Sequence, residues 1–258
     1  MVGNPSRWKR RLRLCHADEV MPASSPIAGA RDEGLVLGID TCGPLGSVAL
    51  GRVSQDAVEI LGQTELEGRS YSATLVTAVG DLLARQGIGL RQIGCIVAVN
   101  GPGSFTGVRV GLSAVKGLAE GAGIPVLAVS RLKVLARKAG VAWAALDAHR
   151  HEVYLRVAAN GSRGRELLAG VSELGEILVK PAQIAVCDEA ACELLTSAWP
   201  GTLIVRVAAP TAADVLEVAA SRVRAGDFAD LALLDGHYLR RSDAEIFGEP
   251  SAARGQRA

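Results

Sequence analysis

NGPGSFTGVRVGLSAVKGLAEGAGIPV, residues 100–126, threads repeated glycines and two prolines through what otherwise reads as a strand end, a loop, a buried helix and the next strand. In the turn NGPGS, Gly101 and Gly103 carry no side chain, so a ligand or another backbone can come close. Ser104 stands where a helix N-cap accepts backbone N–H bonds, and a helix N-terminus behind such a loop attracts anions. The helix predicted over 104–121 sets Val108, Leu112, Val115 and Ala119 on one apolar stripe, with Gly107, Gly111, Ala114 and Gly121 as a smooth stripe beside it. Arg109, Ser113, Lys116 and Glu120 leave only a narrow polar edge. Each interior glycine costs up to about 1 kcal/mol relative to alanine. Gly107, Gly111, Gly117 and Gly121 must therefore be compensated, by close packing of the chain's own sheet or of another chain.

Working outward, IGCIVAVN (93–100) is apolar almost throughout, as in a strand covered on both faces, and IPVLAVS (124–130) is a second such strand. Upstream, GLVLGIDT (34–41), the turn CGPLG and SVALGRV (47–53) read as a hairpin, with AVEILGQTEL (57–66) as a third strand. YSATLVTAVGDLLARQG (71–87) has helical spacing and stops at Gly87. The order strand, strand, strand, helix, strand, helix, strand predicts an α/β lobe with a mixed sheet. The pattern restarts after Ser130. RLKVLARKAG is a helix, VAWAALDA and HEVYLRVAA are strands, QIAVCDEAACELLTSAW is strand then helix, and TAADVLEVAASRVRAG is a helix. This gives a predicted first lobe over 34–128 and a shorter, degenerate second lobe over 129–245.

Residues 1–33, basic and then small, polar and proline-bearing, are expected to be a disordered extension or the product of an upstream start, with a targeting or RNA-binding arm as alternatives. Residues 246–258 are expected to be a flexible tail. Across all 258 residues the formal net charge is +1, so no global field favours nucleic acid or a membrane. Five scattered cysteines without a CxxC pair argue against a disulfide scaffold or thiolate zinc site and for a reducing cytosol. No apolar run approaches the length of a membrane span.

Two patterns suggest chemistry. An aspartate ending a buried strand, followed by a small-residue turn, suits a phosphate cradle with a carboxylate facing hydrated Mg²⁺. Asp40, Thr41, Gly101, Gly103 and Ser104 would line it, unless Asp40 merely stabilises its turn. The second pattern is the pair of helices 71–86 and 104–121, apolar over most of their circumference. Leu75, Ala78, Val79 and Leu82 on the first and Gly107, Val108, Gly111, Leu112, Ala114 and Val115 on the second are the candidate partner surface. The alternative is burial within the monomer.

The motifs LGIDT with SVAL, VNGPGSFTGVRVGLSAVKGLAEGAGIPVLAVS, ALDAHRHEVY and YLRRSDAE resemble the bacterial TsaB (YeaZ) family over roughly residues 34–245. That resemblance implies a two-lobed fold of the actin, Hsp70 and sugar-kinase (ASKHA) superfamily. It implies a dimerisation subunit that pairs with TsaD through the two helices and assembles with the ATPase TsaE. TsaD transfers a threonylcarbamoyl group to N6 of adenosine 37 in tRNAs reading ANN codons, so the complex would bring the subunit to tRNA.

Catalysis by this chain itself is not expected. The segment VLAVSRLKVLARKAG lacks the HxxxH metal pair of TsaD-type enzymes, and no nucleophile and base pair is evident. No residue supports the family's old peptidase label. Asp147, His149 and His151 lack a further evident metal ligand, so no metal is expected. No cofactor of its own is expected either, with a weak or interface-bound nucleotide as the residual reading. Arg240, Arg241 and Asp243 read as a salt-bridged terminus or a contact with a partner. The predicted function is a non-catalytic, cytoplasmic scaffold of the tRNA-modifying complex. An autonomous ATPase or kinase and a homodimeric structural protein are the rivals.

Overall fold

The run VLGI inside β1 (Glu33–Asp40) is apolar and half β-branched, and it forms the central strand of a five-stranded sheet. β1 pairs antiparallel with β2 (Leu45–Ser54), which pairs antiparallel with β3 (Val58–Glu67). After α1 (Tyr71–Arg85) come β4 (Cys95–Val99), α2 (Phe105–Ala122) and β5 (Val126–Val129); β4 adds parallel to β1, and β5 parallel to β4. The sheet order is thus β3-β2-β1-β4-β5. All five residues of β4 are buried, as its unbroken apolar sequence predicts. This computed structural model describes residues 33–67, 70–158 and 164–240, all within the unit Asp32–Ala258. The expectations for residues 1–32 and 246–258, and for Arg241 and Asp243, lie outside the described residues.

α3 (Arg131–Lys138) leads to a second five-stranded sheet built from β6 (Trp143–Asp147), β7 (Glu152–Val157), β8 (Arg165–Gly170), β9 (Gln183–Val186) and β10 (Leu203–Arg206). α4 (Val171–Glu176) and α5 (Glu189–Ala198) are its crossovers. Its order, β10-β9-β6-β7-β8, matches the first sheet strand for strand, with the same antiparallel meander and the same parallel additions. The chain therefore lays down one topology twice, in the two-lobed α/β arrangement expected. β8, β10 and α4 escaped the sequence reading. Both strands are sheet edges whose side chains are mostly only partly buried, so neither alternates cleanly between apolar and polar.

The lobe boundary is not the simple cut at 128/129. α6 (Ala212–Arg224), assigned by sequence to the second lobe, packs back on β1 and β2 and joins the first lobe's core through Val215, Leu216, Ala219 and Ala220. Two strand glycines make room for it. A Cβ on Gly38 would lie 2.7 Å from the Ala212 carbonyl oxygen, and one on Gly51 2.8 Å from Leu216 Cδ1. On the opposite sheet face a Cβ on Gly62 would meet Leu82 of α1, so the first sheet is covered on both sides. α3 sits between the lobes, with Leu132, Leu135 and Ala136 in the second sheet's packing and Val134 in the first core.

Candidate functional site

The end of β1 is closed to solvent. Asp40 and Thr41 are each 1% exposed. One Asp40 carboxylate oxygen accepts the Cys42 backbone N–H at 2.8 Å, and the other accepts from Arg131 Nε at 3.2 Å. Both side chains of this ion pair are buried, at 6% and 1% exposure for Arg131 and Asp40. Burial opposes the Arg131 charge, but Asp40 and Cys42 beside it raise its pKa above the ordinary arginine value. Burial, then Asp40, pushes the Cys42 thiol well up, and the same two causes push Tyr71 up to about 12. The Tyr71 hydroxyl donates to the Gly43 carbonyl at 2.8 Å. Arg131 Nη2 is buried without a hydrogen-bond partner. The carboxylate that sequence reasoning turned toward Mg²⁺ therefore faces a cation of the chain's own.

The glycine loop is spent on the same closure. Thr41 Oγ1 donates to the Gly107 carbonyl at 2.7 Å, and Ser104 N–H donates to the Cys42 carbonyl at 2.8 Å. A Cβ on Gly103 would collide with that Cys42 carbonyl, and one on Gly101, at φ +115°, would lie 3.0 Å from the His237 carbonyl oxygen. The Gly101 carbonyl accepts from Arg131 N–H at 2.7 Å, and Ser104 Oγ caps α2 by accepting from Gly107 N–H at 3.2 Å. The five residues assigned to a phosphate cradle do come together, but against one another, Arg131 and the 237 segment.

The candidate partner residues divide differently from the sequence reading. Leu75, Ala78, Val79, Leu82, Gly107, Val108, Gly111, Leu112 and Val115 are buried inside the monomer, and Ala114 is half-buried. The smooth stripe of Gly107 and Gly111 meets Thr41, whose carbonyl and hydroxyl oxygens a Cβ at either glycine would strike. The physical reason is that α1 and α2 pack on each other as well as on the sheet, so two neighbours cover the wide apolar arc. Apart from the charged edges of the two helices and Phe105, what remains outside is mostly small. Ala73, Val76, Thr77, Gly80 and Ala84 face solvent on α1; on α2, Thr106, Gly117 and Gly121 are exposed, with Val110 and Ala114 half-buried among them. A Cβ on Gly80, Gly117 or Gly121 would meet nothing.

His149 and His151 lie in the β6–β7 turn; His149, Arg150 and His151 have φ of 59°, 58° and 59°. His149 Nδ1 lies 2.9 Å from Asp147 Oδ2. Among the described residues no three His, Cys, Asp or Glu side chains gather as metal ligands. Arg240 pairs with Glu152. Sequence reasoning missed Arg131. A cation in the first turn of a helix opposes the helix dipole, and that misfit was the signal of a carboxylate partner. It also missed Glu166, which takes both Ser130 Oγ contacts at 2.7 Å, Arg156 Nη1 at 3.1 Å and His237 Nε2 at 3.0 Å.

Residues 63–194 match the family model described as TsaD: tRNA N6-adenosine threonylcarbamoyltransferase. The tRNA threonylcarbamoyladenosine biosynthesis protein TsaB of Haemophilus influenzae is 40% identical over 96 residues, 35% of this chain and 41% of that protein. Its Escherichia coli namesake is 38% identical over 125 residues, 46% of this chain and 52% of that protein. The aligned stretches thus span about half the length of these curated relatives or less. The solved structure of YeaZ from Pseudomonas aeruginosa superposes with a TM-score of 0.65 at 27% identity, covering 80% of this chain and all of that one. The match extends the two-lobed ASKHA-type fold to most of the chain.

Proposed function

The chain belongs to the family of tRNA N6-adenosine threonylcarbamoyltransferase proteins, in its TsaB (YeaZ) group, and from that premise we propose that it is a non-catalytic subunit of the machinery that threonylcarbamoylates adenosine 37 of tRNA. It pairs with TsaD, and TsaE joins the pair; threonylcarbamoyl transfer to tRNAs reading ANN codons is carried out by TsaD. The observation that carries this reading is the outward face of α1 and α2. Gly80, Gly117 and Gly121 lie in helices, point at open space and fill no intramolecular role, at up to about 1 kcal/mol each relative to alanine. A partner helix packed closely against them offsets that cost. The Asp40–Arg131 pair supports a subunit without a nucleotide or metal of its own, because the cation facing the carboxylate is supplied by the chain. No helix among the described residues is long and apolar enough to cross a membrane, and the reading puts the protein in the cytoplasm with tRNA.

Size-exclusion chromatography with light scattering tests the proposal. The purified chain and its cognate TsaD should co-elute at the mass of a heterodimer, and Gly117→Glu with Gly121→Glu should abolish co-elution while the melting temperature stays within a few degrees. Separate elution of the wild-type proteins sinks the reading. The same face also suits a second copy of the chain, and the mass measured without TsaD reads that out. An ATPase of its own would instead bind Mg-ATP in calorimetry with turnover lost in Asp40→Asn.

A further inference from the structure

The partner face is not the whole exposed surface of α2. On the adjoining side of the helix, Phe105, Arg109 and Lys116 border a cleft of about 410 Å³, closed opposite by Asp235, Tyr238 and Arg240. The Phe105 and Tyr238 rings pair with centroids 5.2 Å apart at 52°, and each residue is still 39% exposed. The Arg109 guanidinium lies 3.7 Å from the Phe105 ring centroid. Stacking engages the flat face of a guanidinium and leaves its in-plane N–H donors free. Among the described residues neither Arg109 nor Lys116 has an ion-pair partner, whereas Arg240 is matched by Glu152, and Asp235 is the acid at the rim. Arg109 and Lys116 stand two turns apart, about 10 Å along the helix, so they meet different anionic groups of one extended ligand.

We propose that this cleft binds a single-stranded RNA segment, with a base stacked on the exposed Tyr238 ring, Arg109 already covering a face of Phe105, and with backbone phosphates on Arg109 and Lys116. Exposed rings beside unmatched cations are what single strands need, because every base offers a π face and every linkage a charge. A duplex hides its base faces and presents phosphates, 2′-hydroxyls and base edges instead, none of which stacks on a ring. An acidic peptide would meet the cations but leave the rings uncovered. The inference rests on the tRNA-modifying role proposed above and adds to it a contact made by this subunit rather than by its partner.

Fluorescence anisotropy of the full chain with a labelled single-stranded RNA of about 12 nucleotides, and with the same strand annealed to its complement, tests it. Single-strand affinity should exceed duplex affinity. It should fall about sevenfold between 50 and 200 mM salt if two phosphates are neutralised. Tyr238→Ala should weaken it about tenfold, and Arg109→Glu or Lys116→Glu, both at helix-surface positions, by at least as much. Circular dichroism melts show that each variant is folded, and Tyr238→Phe should retain binding. Equal affinity for duplex, unchanged affinity in folded Tyr238→Ala and Arg109→Glu, or no binding at 100 µM protein, about the weak limit of non-specific association, overturns the proposal. So does full displacement of the strand by AMP at equal concentration, which would make the site one for a free nucleotide. TsaD co-elution is measured on the same samples. Pairing without RNA binding removes this inference alone, and RNA binding without pairing removes the proposed function alone.

Discussion

Replacing Arg131 by methionine keeps much of the side chain's apolar length and removes its charge, stranding the Asp40 carboxylate in the interior. Nε and Oδ2 are 3.2 Å apart. At an effective dielectric of about 20 their attraction is about 5 kcal/mol. Breaking a buried pair from one side costs about 3–5 kcal/mol, because the remaining charge keeps its desolvation penalty. Arg131→Met and Asp40→Asn should therefore each lose that much in urea unfolding, and their melting temperatures should fall by about 6–20 °C for a domain of this size. The double variant Asp40→Asn with Arg131→Met strands no charge. It should be more stable than the sum of the singles by at least about 2 kcal/mol, a coupling typical of groups in direct contact. The unpartnered Arg131 Nη2 points the same way, since a guanidinium leaving a donor unsatisfied does not extract full value from burial. Additive single losses, or an Arg131→Met variant within about 0.5 kcal/mol of wild type, would refute the claim that this pair closes the cleft.

The helix glycines should separate by a single methyl group. Gly111→Ala and Gly107→Ala, which drive a Cβ into Thr41, should destabilise by about 1–3 kcal/mol or more, whereas Gly117→Ala and Gly121→Ala should stabilise by up to about 1 kcal/mol each, all read from thermal melts. Glu166 sets a pH dependence. Burial would raise its pKa, but the bonds from His237, Ser130 and Arg156 outweigh burial and hold it below 4.5. A depressed folded-state pKa gives stability that is present above 4.5 and lost as pH falls through the folded value. Glu166→Gln should therefore flatten the acid limb of the stability profile below about pH 5, and an unchanged limb would count against the network.

The first lobe was legible because each of its elements carries its own signal. β4 is apolar throughout, α1 and α2 keep helical spacing, and Gly87 and Ser104 mark helix limits. The edge strands β8 and β10 were not, since a half-exposed strand has no alternation to read. Nor was the return of α6. An amphipathic helix announces that it packs, but its partners Gly38 and Gly51 lie more than 160 residues upstream and signal only room. The resemblance to the TsaB family stood on short motifs and survived. Of the positions assigned to the partner surface, all but Ala114 turned inward, because periodicity shows that an arc is apolar and not what covers it.

That last distinction also explains why so much glycine sits in one helix. Residues of α2 fall on three faces, and the glycines mean something different on two of them. Gly107 and Gly111 point inward, where backbone and hydroxyl oxygens of Thr41 leave no room for a methyl group. Gly117 and Gly121 point outward, where nothing in the monomer forbids one. Steric need accounts for the first pair completely and for the second not at all. The proposed partner helix supplies the reason that the monomer lacks for the second pair, at a cost of up to about 1 kcal/mol each relative to alanine. The third face, from Phe105 through Arg109 to Lys116, has no glycine and instead carries a ring and two cations. Close approach of a partner backbone and recognition of a charged, aromatic ligand make opposite demands on side-chain size, and the two proposed contacts fall on separate sides of α2.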